Sequence, residues 1–225
     1  MLVSMWMSKT LVTAPPEMTI AEAAEEMARR SIRRLLVARE AEGRRRLLGI
    51  VTSRDLARAF PPEVNPFAPG GAGRGPRRPV SEIMARDLKT AAPETPVEEA
   101  ASLMRQHKIG ALPVVRGDEL VGIITESDIF RAFIEVIGGR EPSVRVTFDL
   151  SEKEDIVGVV NQLARRHLMQ LDCILSLEHD GRRLGVVRLS GPGAERFIDD
   201  VWKSGHRVLN ILQRKGQPIP AGARR

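Results

Sequence analysis

The sequence predicts an α/β (α+β) protein of three small units, the first two related by duplication. Three observations lead there. Residues 3–37, set without gaps above residues 80–114, match at 15 of 35 positions, where chance gives about two or three. In both copies the apolar pattern alternates between helix and strand, which fits mixed α/β units. Residues 142–214 leave the repeat and read strand, helix, strand, strand, helix, strand.

Each repeat reads the same way. In "MTIAEAAEEMARR" the apolar residues Ile20, Ala23, Ala24 and Met27 recur at helical spacing. Thr19 and Glu22 suit a capping box. The second copy, "TPVEEAASLMRQH", offers Thr95, Pro96 and Glu98 as cap, first-turn proline and box partner. A short strand follows, "RLLVA" or "ALPVV". After a turn comes a second strand, ending in "GIVTSRDL" at 49–56 and "GIITESDI" at 122–129. Four extra residues in the first copy reduce the offset to 73 there. Another helix then opens, clearest in "SDIFRAFIEVI". Neither repeat makes an obvious core alone, and packing their sheets together supplies one.

The boundaries are residues 1–60 for the first repeat and 80–138 for the second. Residues 61–79 hold six prolines and four glycines in nineteen positions and read as a linker or long loop. Its "GGAGRG" follows no strand, precedes no helix and lacks Gly-Lys-Ser/Thr, so it is not a phosphate loop. Phe67 is a lone apolar residue there, placed to tuck over a cleft.

In residues 142–214 "SVRVTFDL" alternates as a strand. Ser151 and Glu154 signal a cap before a helix with apolar Ile156, Val157, Val160, Leu163 and Ala164. "LMQLDCILSLE" and "RLGVVRLS" are strands joined at Asp180-Gly181. "GPGAERFIDDVWKS" starts a helix that Gly205 ends, and "HRVLNILQ" is the last strand. The plan is ferredoxin-like, with Cys173 and Trp202 expected in its core. Residues 215–225 read as a flexible tail.

Composition narrows the function classes. A hydrophobic share of 42% and a charged share of 28% fit a globular chain. No run approaches the ~20 apolar residues of a membrane span. The start shows no secretory leader pattern, and the single Cys173 precludes an internal disulfide, so a cytoplasmic location is expected. Net charge is +6, with 29 arginines against 6 lysines. The only compact basic runs are "GRRRLL" and "GPRRP", so an arginine-rich nucleic-acid binder is the less favoured reading. His107, His167, His179 and His206 show no metal-ligand spacing. No nucleophile motif or acid–base pair marks an enzyme, and no cofactor is required.

The repeated Thr-x-x-Asp carries the chemistry. Thr52 and Asp55, like Thr125 and Asp128, fall where a strand ends and a helix starts. Unpaired N–H groups at a helix start suit a phosphate. A threonine hydroxyl donates to the same group. An ionised aspartate accepts from two neighbouring ribose hydroxyls. Backbone of the lead-in "KTAAP" suits the edge of a base. The competing use is structural, since Thr and Asp also cap helices.

Tandem units carrying "L-P-V-V…G-I-I-T-E-S-D" resemble a pair of CBS domains, a Bateman module, over roughly residues 1–138. The resemblance implies a regulatory sensor that binds AMP, ADP, ATP or S-adenosylmethionine in the cleft between the repeats. It assigns Asp55 and Asp128 to ribose, and Thr52 and Thr125 to phosphate or ribose oxygen. Thr13 and Thr90, in the lead-ins, join the nucleotide-binding set. Ile109, Ala111 and Pro113 line one base pocket, and Ile32, Arg34 and Leu36 the other, where Leu36 replaces the family's usual proline. Arg33, Arg34, Arg54 and Arg131 are the candidates to neutralise phosphate. Residues 142–214 resemble an ACT domain by pattern. The combination is similar to bacterial acetoin-utilisation B-type proteins. It implies a homodimer, joined through an exposed sheet edge, and an unidentified regulated partner. The other reading is an assembly module with empty clefts.

Overall fold

A computed structural model describes residues 1–41, 43–138, 142–151 and 156–214. The chain divides into two compact units, residues 1–131 and 132–225.

The first unit holds both repeats. Repeat one contributes β1 (Thr13–Ala14), α1 (Ile20–Arg29), β2 (Arg34–Ala41), β3 (Arg44–Thr52) and α2 (Ser53–Ala59). Repeat two contributes α3 (Val97–His107), β4 (Ala111–Arg116), β5 (Glu119–Thr125) and α4 (Glu126–Gly138), which runs on into the second unit. The expected pair of packed sheets is one five-stranded sheet, ordered β1-β2-β3-β5-β4. β3 and β5 pair at Arg46 and Glu119. Leu36, Ala38 and Leu120 form a small core of their own, backed by Leu11, Leu47, Ile50, Val115 and Ile123. Residues of both repeats therefore share this buried layer.

Local chemistry explains the helices. Thr19 and Glu22 form the expected capping box, and Ile20, Ala23, Ala24 and Met27 are buried. The second copy differs. Pro96 is itself the N-cap of α3, and the Thr95 hydroxyl accepts instead from the Ala92 N–H at 2.9 Å. Proline occupies the position that Thr19 holds in the first copy and has no hydroxyl to cap with, so the Thr95–Glu98 box is absent. Ser31 and Lys108, related by the repeat, both end their helix in the left-handed region at φ 53°.

The start of each repeat crosses to the other. Val3 belongs to the core of repeat two and Val80 to that of repeat one. Val3 N–H donates to Thr95 O, and Val80 N–H to Met18 O, at 2.9 and 2.8 Å. Ser8 pairs with Ile123 and, by the same symmetry, Ala85 with Ile50. The repeated glycines permit this. A Cβ on Gly49 would lie 2.5 Å from Met84 Sδ and 2.9 Å from Ala85 O. One on Gly122 would lie 2.5 Å from Met7 Sδ and 3.2 Å from Ser8 O.

The 61–79 loop folds back on repeat one. Phe67 packs against that repeat's core with Val64 and Ala72 rather than over a cleft. Its backbone ties to α1 through the Ile20 N–H bond to Arg78 O and the Ala21 N–H bond to Pro76 O.

The second unit holds β6 (Ser143–Asp149), α5 (Ile156–Arg166), β7 (Gln170–His179), β8 (Arg182–Ser190), α6 (Ala194–Lys203) and β9 (Val208–Arg214). The antiparallel order β7-β8-β6-β9 is compatible with the ferredoxin-like plan. Asp180 and Gly181 make the β7–β8 turn with φ of 50° and 71°. Ile156, Val160, Leu163 and Ala164 of α5 are buried, but Val157 is half exposed. Trp202 lies at 57% exposure rather than in the core, because Phe197 and Val201 supply the buried stripe of α6. Cys173 is a half-buried free thiol whose strand position faces Arg188 on β8. Ser151 donates from both N–H and hydroxyl to Asp149 Oδ1. Glu154, its expected box partner, and the tail 215–225 lie outside the described residues.

Candidate functional site: two repeat-related cavities

Two repeat-related cavities open in the first unit, besides a third of about 190 Å³ between Thr13, Pro15, Pro16 and Arg39. The larger, of about 580 Å³, takes Ile50, Thr52, Ser53 and Arg54 from the end of β3 and the start of α2. It takes Ile109, Gly110, Ala111 and Pro113 from repeat two, and Ala85, Asp87, Leu88 and Lys89 from the second lead-in. His107 and Lys108 complete its wall. The smaller, of about 320 Å³, takes Ile123, Thr125, Glu126 and Ser127 from repeat two. It takes Ile32, Leu36, Ser8, Thr10, Leu11 and Val12 from repeat one. Arg33, Arg34 and Gly110 line both.

Most positions of the two walls correspond under the sequence offsets of 77 and 73, but the larger adds His107 and Lys108, whose counterparts Arg30 and Ser31 do not line the smaller. Each cavity joins the Thr-x-x-Asp turn of one repeat to the first strand and lead-in of the other. The backbone anchors are also repeated. Ser53 N–H donates to Arg33 O at 3.0 Å, and Glu126 N–H to Gly110 O at 3.2 Å. These bonds fix each helix start beside its own repeat's first strand.

Nine expected residues line a repeat-related cavity. Thr52, Arg54, Ile109, Ala111 and Pro113 line the larger. Thr125, Ile32 and Leu36 line the smaller, and Arg34 lines both. Five do not. Thr13 is in β1, paired with Leu36, and Thr90 precedes the lead-in's contact with β4. Arg131 donates to Asp128 Oδ1 at 2.8 Å and to Trp6 O at 3.1 Å.

Asp55 and Asp128 themselves turn onto their own backbone. Asp55 Oδ2 accepts from the Thr52 N–H at 2.8 Å and the Thr52 hydroxyl at 2.6 Å. Asp128 Oδ2 does the same for Thr125, at 2.9 and 2.7 Å. These are capping boxes with aspartate at the third helical position. The structural use of the motif is therefore present in both copies. Space nevertheless remains beside it, because each cavity borders the three residues before the aspartate. One oxygen of each carboxylate lies outside the box, and Arg131 occupies that of Asp128.

Arg34 is the half-buried charge of the cleft. Burial pushes its guanidinium below the ordinary arginine value, Glu126 acts in the opposite direction, and Arg33 adds to the lowering. Gly110 leaves room for it, since a Cβ there would lie 2.2 Å from Arg34 Nη2 and 2.7 Å from Glu126 Oε2. Sequence reasoning missed Ile50, Ile123, Ser53, Glu126, Ser127, Lys89 and Lys108. Extending the two offsets beyond the Thr-x-x-Asp sentence marks their positions as equivalent, but not which repeat they face.

Among the described residues no group of His, Cys, Asp and Glu is arranged to hold a metal ion, and no helix is long and apolar enough to cross a membrane.

The CBS domain family matches residues 3–62 and 80–135. The CBS domain-containing protein YhcV of Bacillus subtilis is 32% identical over 123 residues, 55% of this chain and 79% of that protein. For two relatives from Methanocaldococcus jannaschii the matched part is 22% and 45% of their length. A solved acetoin utilization protein (AcuB) from Vibrio cholerae is similar at 30% identity and TM-score 0.50, over 69% of this chain and 98% of that one. The CBS domain pair of protein MJ0100, solved with 5'-methylthioadenosine and S-adenosyl-L-methionine, is 33% identical at TM-score 0.48, over 59% and 95%. The two family matches together cover just over half of the sequence, and each spans one of the repeats that build the cavities; this chain belongs to the CBS-domain family.

Proposed function

We propose that this chain is a non-catalytic regulatory protein that binds an adenosine-based ligand in the cleft between its repeats. The observation that carries the reading is the pair of repeat-related cavities, each closed by a Thr-x-x-Asp turn from one repeat and an apolar strand from the other. Ile109 and Pro113, or Ile32 and Leu36, offer flat apolar surface to a base. Thr52 or Thr125 offers a hydroxyl to sugar or phosphate. The Asp55 carboxylate oxygen left outside its capping box offers an acceptor to a ribose hydroxyl, while that of Asp128 is taken by Arg131. AMP, ADP, ATP and S-adenosylmethionine share that adenosine part.

The ACT-like unit then serves self-association or output, and the protein works as a homodimer beside a regulated partner in the cytoplasm. Two kinds of surface support self-association. β7 and β9 are the edges of the second sheet, and α4 exposes Phe130, Phe133 and Ile134 at 67%, 59% and 65%.

Thermal denaturation with each adenosine compound at millimolar concentration tests the binding. A ligand at 100 times its Kd adds about 2.7 kcal/mol to stability, and Asp55→Ala or Asp128→Ala removes the gain. The capping boxes favour a second reading, in which the Thr-x-x-Asp turns are structural and the clefts empty. No shift with any of the four compounds establishes that reading instead.

A further inference from the structure

The two cavities share a plan but not a charge. Where repeat positions correspond, the larger cavity has Lys89 against Val12 and Arg54 against Ser127, and it adds Lys108, whose counterpart Ser31 is not part of the smaller wall. The smaller has Glu126 where the larger has Ser53. Asp87, opposite Thr10, runs the other way and lies 3.7 Å from Lys89; Arg30, the counterpart of His107, is not part of the smaller wall and pairs with Glu26. Arg33 and Arg34 belong to both walls and do not distinguish them. The larger cavity thus holds three cations of its own against one carboxylate, and the smaller a carboxylate and no cation of its own.

The capping aspartates differ in the same sense. Asp128 Oδ1 is occupied by Arg131 at 2.8 Å. Arg58 stands at the related position of repeat one, yet among the described residues no ion pair joins it to Asp55. Asp55 Oδ1 lies outside the capping box, and the three residues before Asp55 line the larger cavity. The larger volume accommodates a longer ligand.

We infer that the larger cavity is a site for a nucleoside polyphosphate, and that the smaller one excludes it. This rests on the proposed adenosine-binding reading and assigns the charge class of ligand to each half of the cleft. The base lies against Ile109 and Pro113, the ribose beside Asp55, and the phosphate chain runs to Lys89, Lys108 and Arg54. In the smaller cavity Glu126 repels a phosphate chain, so an uncharged or cationic adenosyl compound is the ligand that fits.

Titration calorimetry with ATP, adenosine and inorganic tripolyphosphate tests the assignment. ATP is expected to bind at one site per chain, more tightly than tripolyphosphate. Lys89→Val with Lys108→Ser, which installs the residues of the other repeat, should weaken ATP by about tenfold or more and adenosine by less than about threefold. The reciprocal pair, Glu126→Ser with Ser127→Arg, should add a second ATP site. Both pairs alter exposed side chains, and circular dichroism confirms the fold. ATP filling two equal sites in the wild type, or unchanged ATP affinity in the lysine variant, overturns the inference while adenosine binding stands. Tripolyphosphate binding as tightly as ATP overturns it in favour of a plain anion site. Failure of both ATP and adenosine to bind overturns the adenosine reading and this assignment with it.

Discussion

The Thr52 hydroxyl donates to Asp55 Oδ2 at 2.6 Å while its backbone N–H donates to the same oxygen at 2.8 Å. Thr125 and Asp128 repeat the arrangement at 2.7 and 2.9 Å. Each carboxylate thus closes a helix start whose preceding residues, Thr52 to Arg54 or Thr125 to Ser127, line a cavity.

That double placement gives the aspartates a stability effect independent of ligand. Asp55→Ala removes the box partner of Thr52 and is expected to cost about 1 kcal/mol in urea unfolding. Asp55→Ser keeps a short acceptor and should cost less. A loss of ligand binding larger than this stability change assigns the carboxylate a second role.

The glycines of the duplicated sentence are the tighter constraint. A Cβ on Gly49 meets Met84 Sδ and the Ala85 carbonyl, and one on Gly122 meets Met7 Sδ and Ser8 O. Gly49→Ala is expected to destabilise by about 1–3 kcal/mol, because the backbone contact cannot rotate away. Gly110→Ala should be milder, since its obstacles are the ends of Arg34 and Glu126. Chemical denaturation of the two variants side by side checks the order.

The crossing of the N-terminal segment predicts a remote effect. Val3 is fully buried in the core of repeat two. Val3→Ala is expected to lower stability by about 1–3 kcal/mol. Hydrogen exchange should show lost protection in α3 and β4 rather than in α1. Uniform loss restricted to repeat one would contradict the crossing.

Acid sensitivity follows from carboxylates held below their ordinary range. Hydrogen bonds from Ser151 hold Asp149 down. His167, and then Arg166, do so for Asp200. The folded values are lower than the unfolded ones, so the stabilisation is present above the unfolded carboxylate range near pH 4 and is lost as pH falls through the folded values. Melting temperature should therefore drop between about pH 4 and 2. Asp149→Asn should flatten that slope while lowering stability at neutral pH.

The proposed self-association through α4 can be measured directly. Phe133→Asp places a charge in its exposed apolar face and should shift sedimentation towards the monomer without a change in melting temperature of the isolated chain. An unchanged dimer in this variant moves the contact to the β7 or β9 edge.

Much of the first unit was legible in the residues because its signals are local. The Thr19–Glu22 box, the Ile20–Met27 stripe and the paired sentences at 49–56 and 122–129 depend on spacing along one helix or strand. Periodicity misplaced Val157 and Trp202, because it reports the amphipathic face but not how far the core reaches around a helix. Duplication also showed that Thr52 and Thr125, Ile32 and Ile109, hold equivalent places. It left open which turn faces which strand. That pairing comes from Ser8 bonding Ile123 and Ala85 bonding Ile50, contacts between segments more than thirty residues apart along the chain. Long-range backbone pairing depends on how the two repeats close on each other, and no short window of sequence encodes it. The same closure places Lys89, Lys108 and Arg54 around one cavity and Glu126 on the wall of the other.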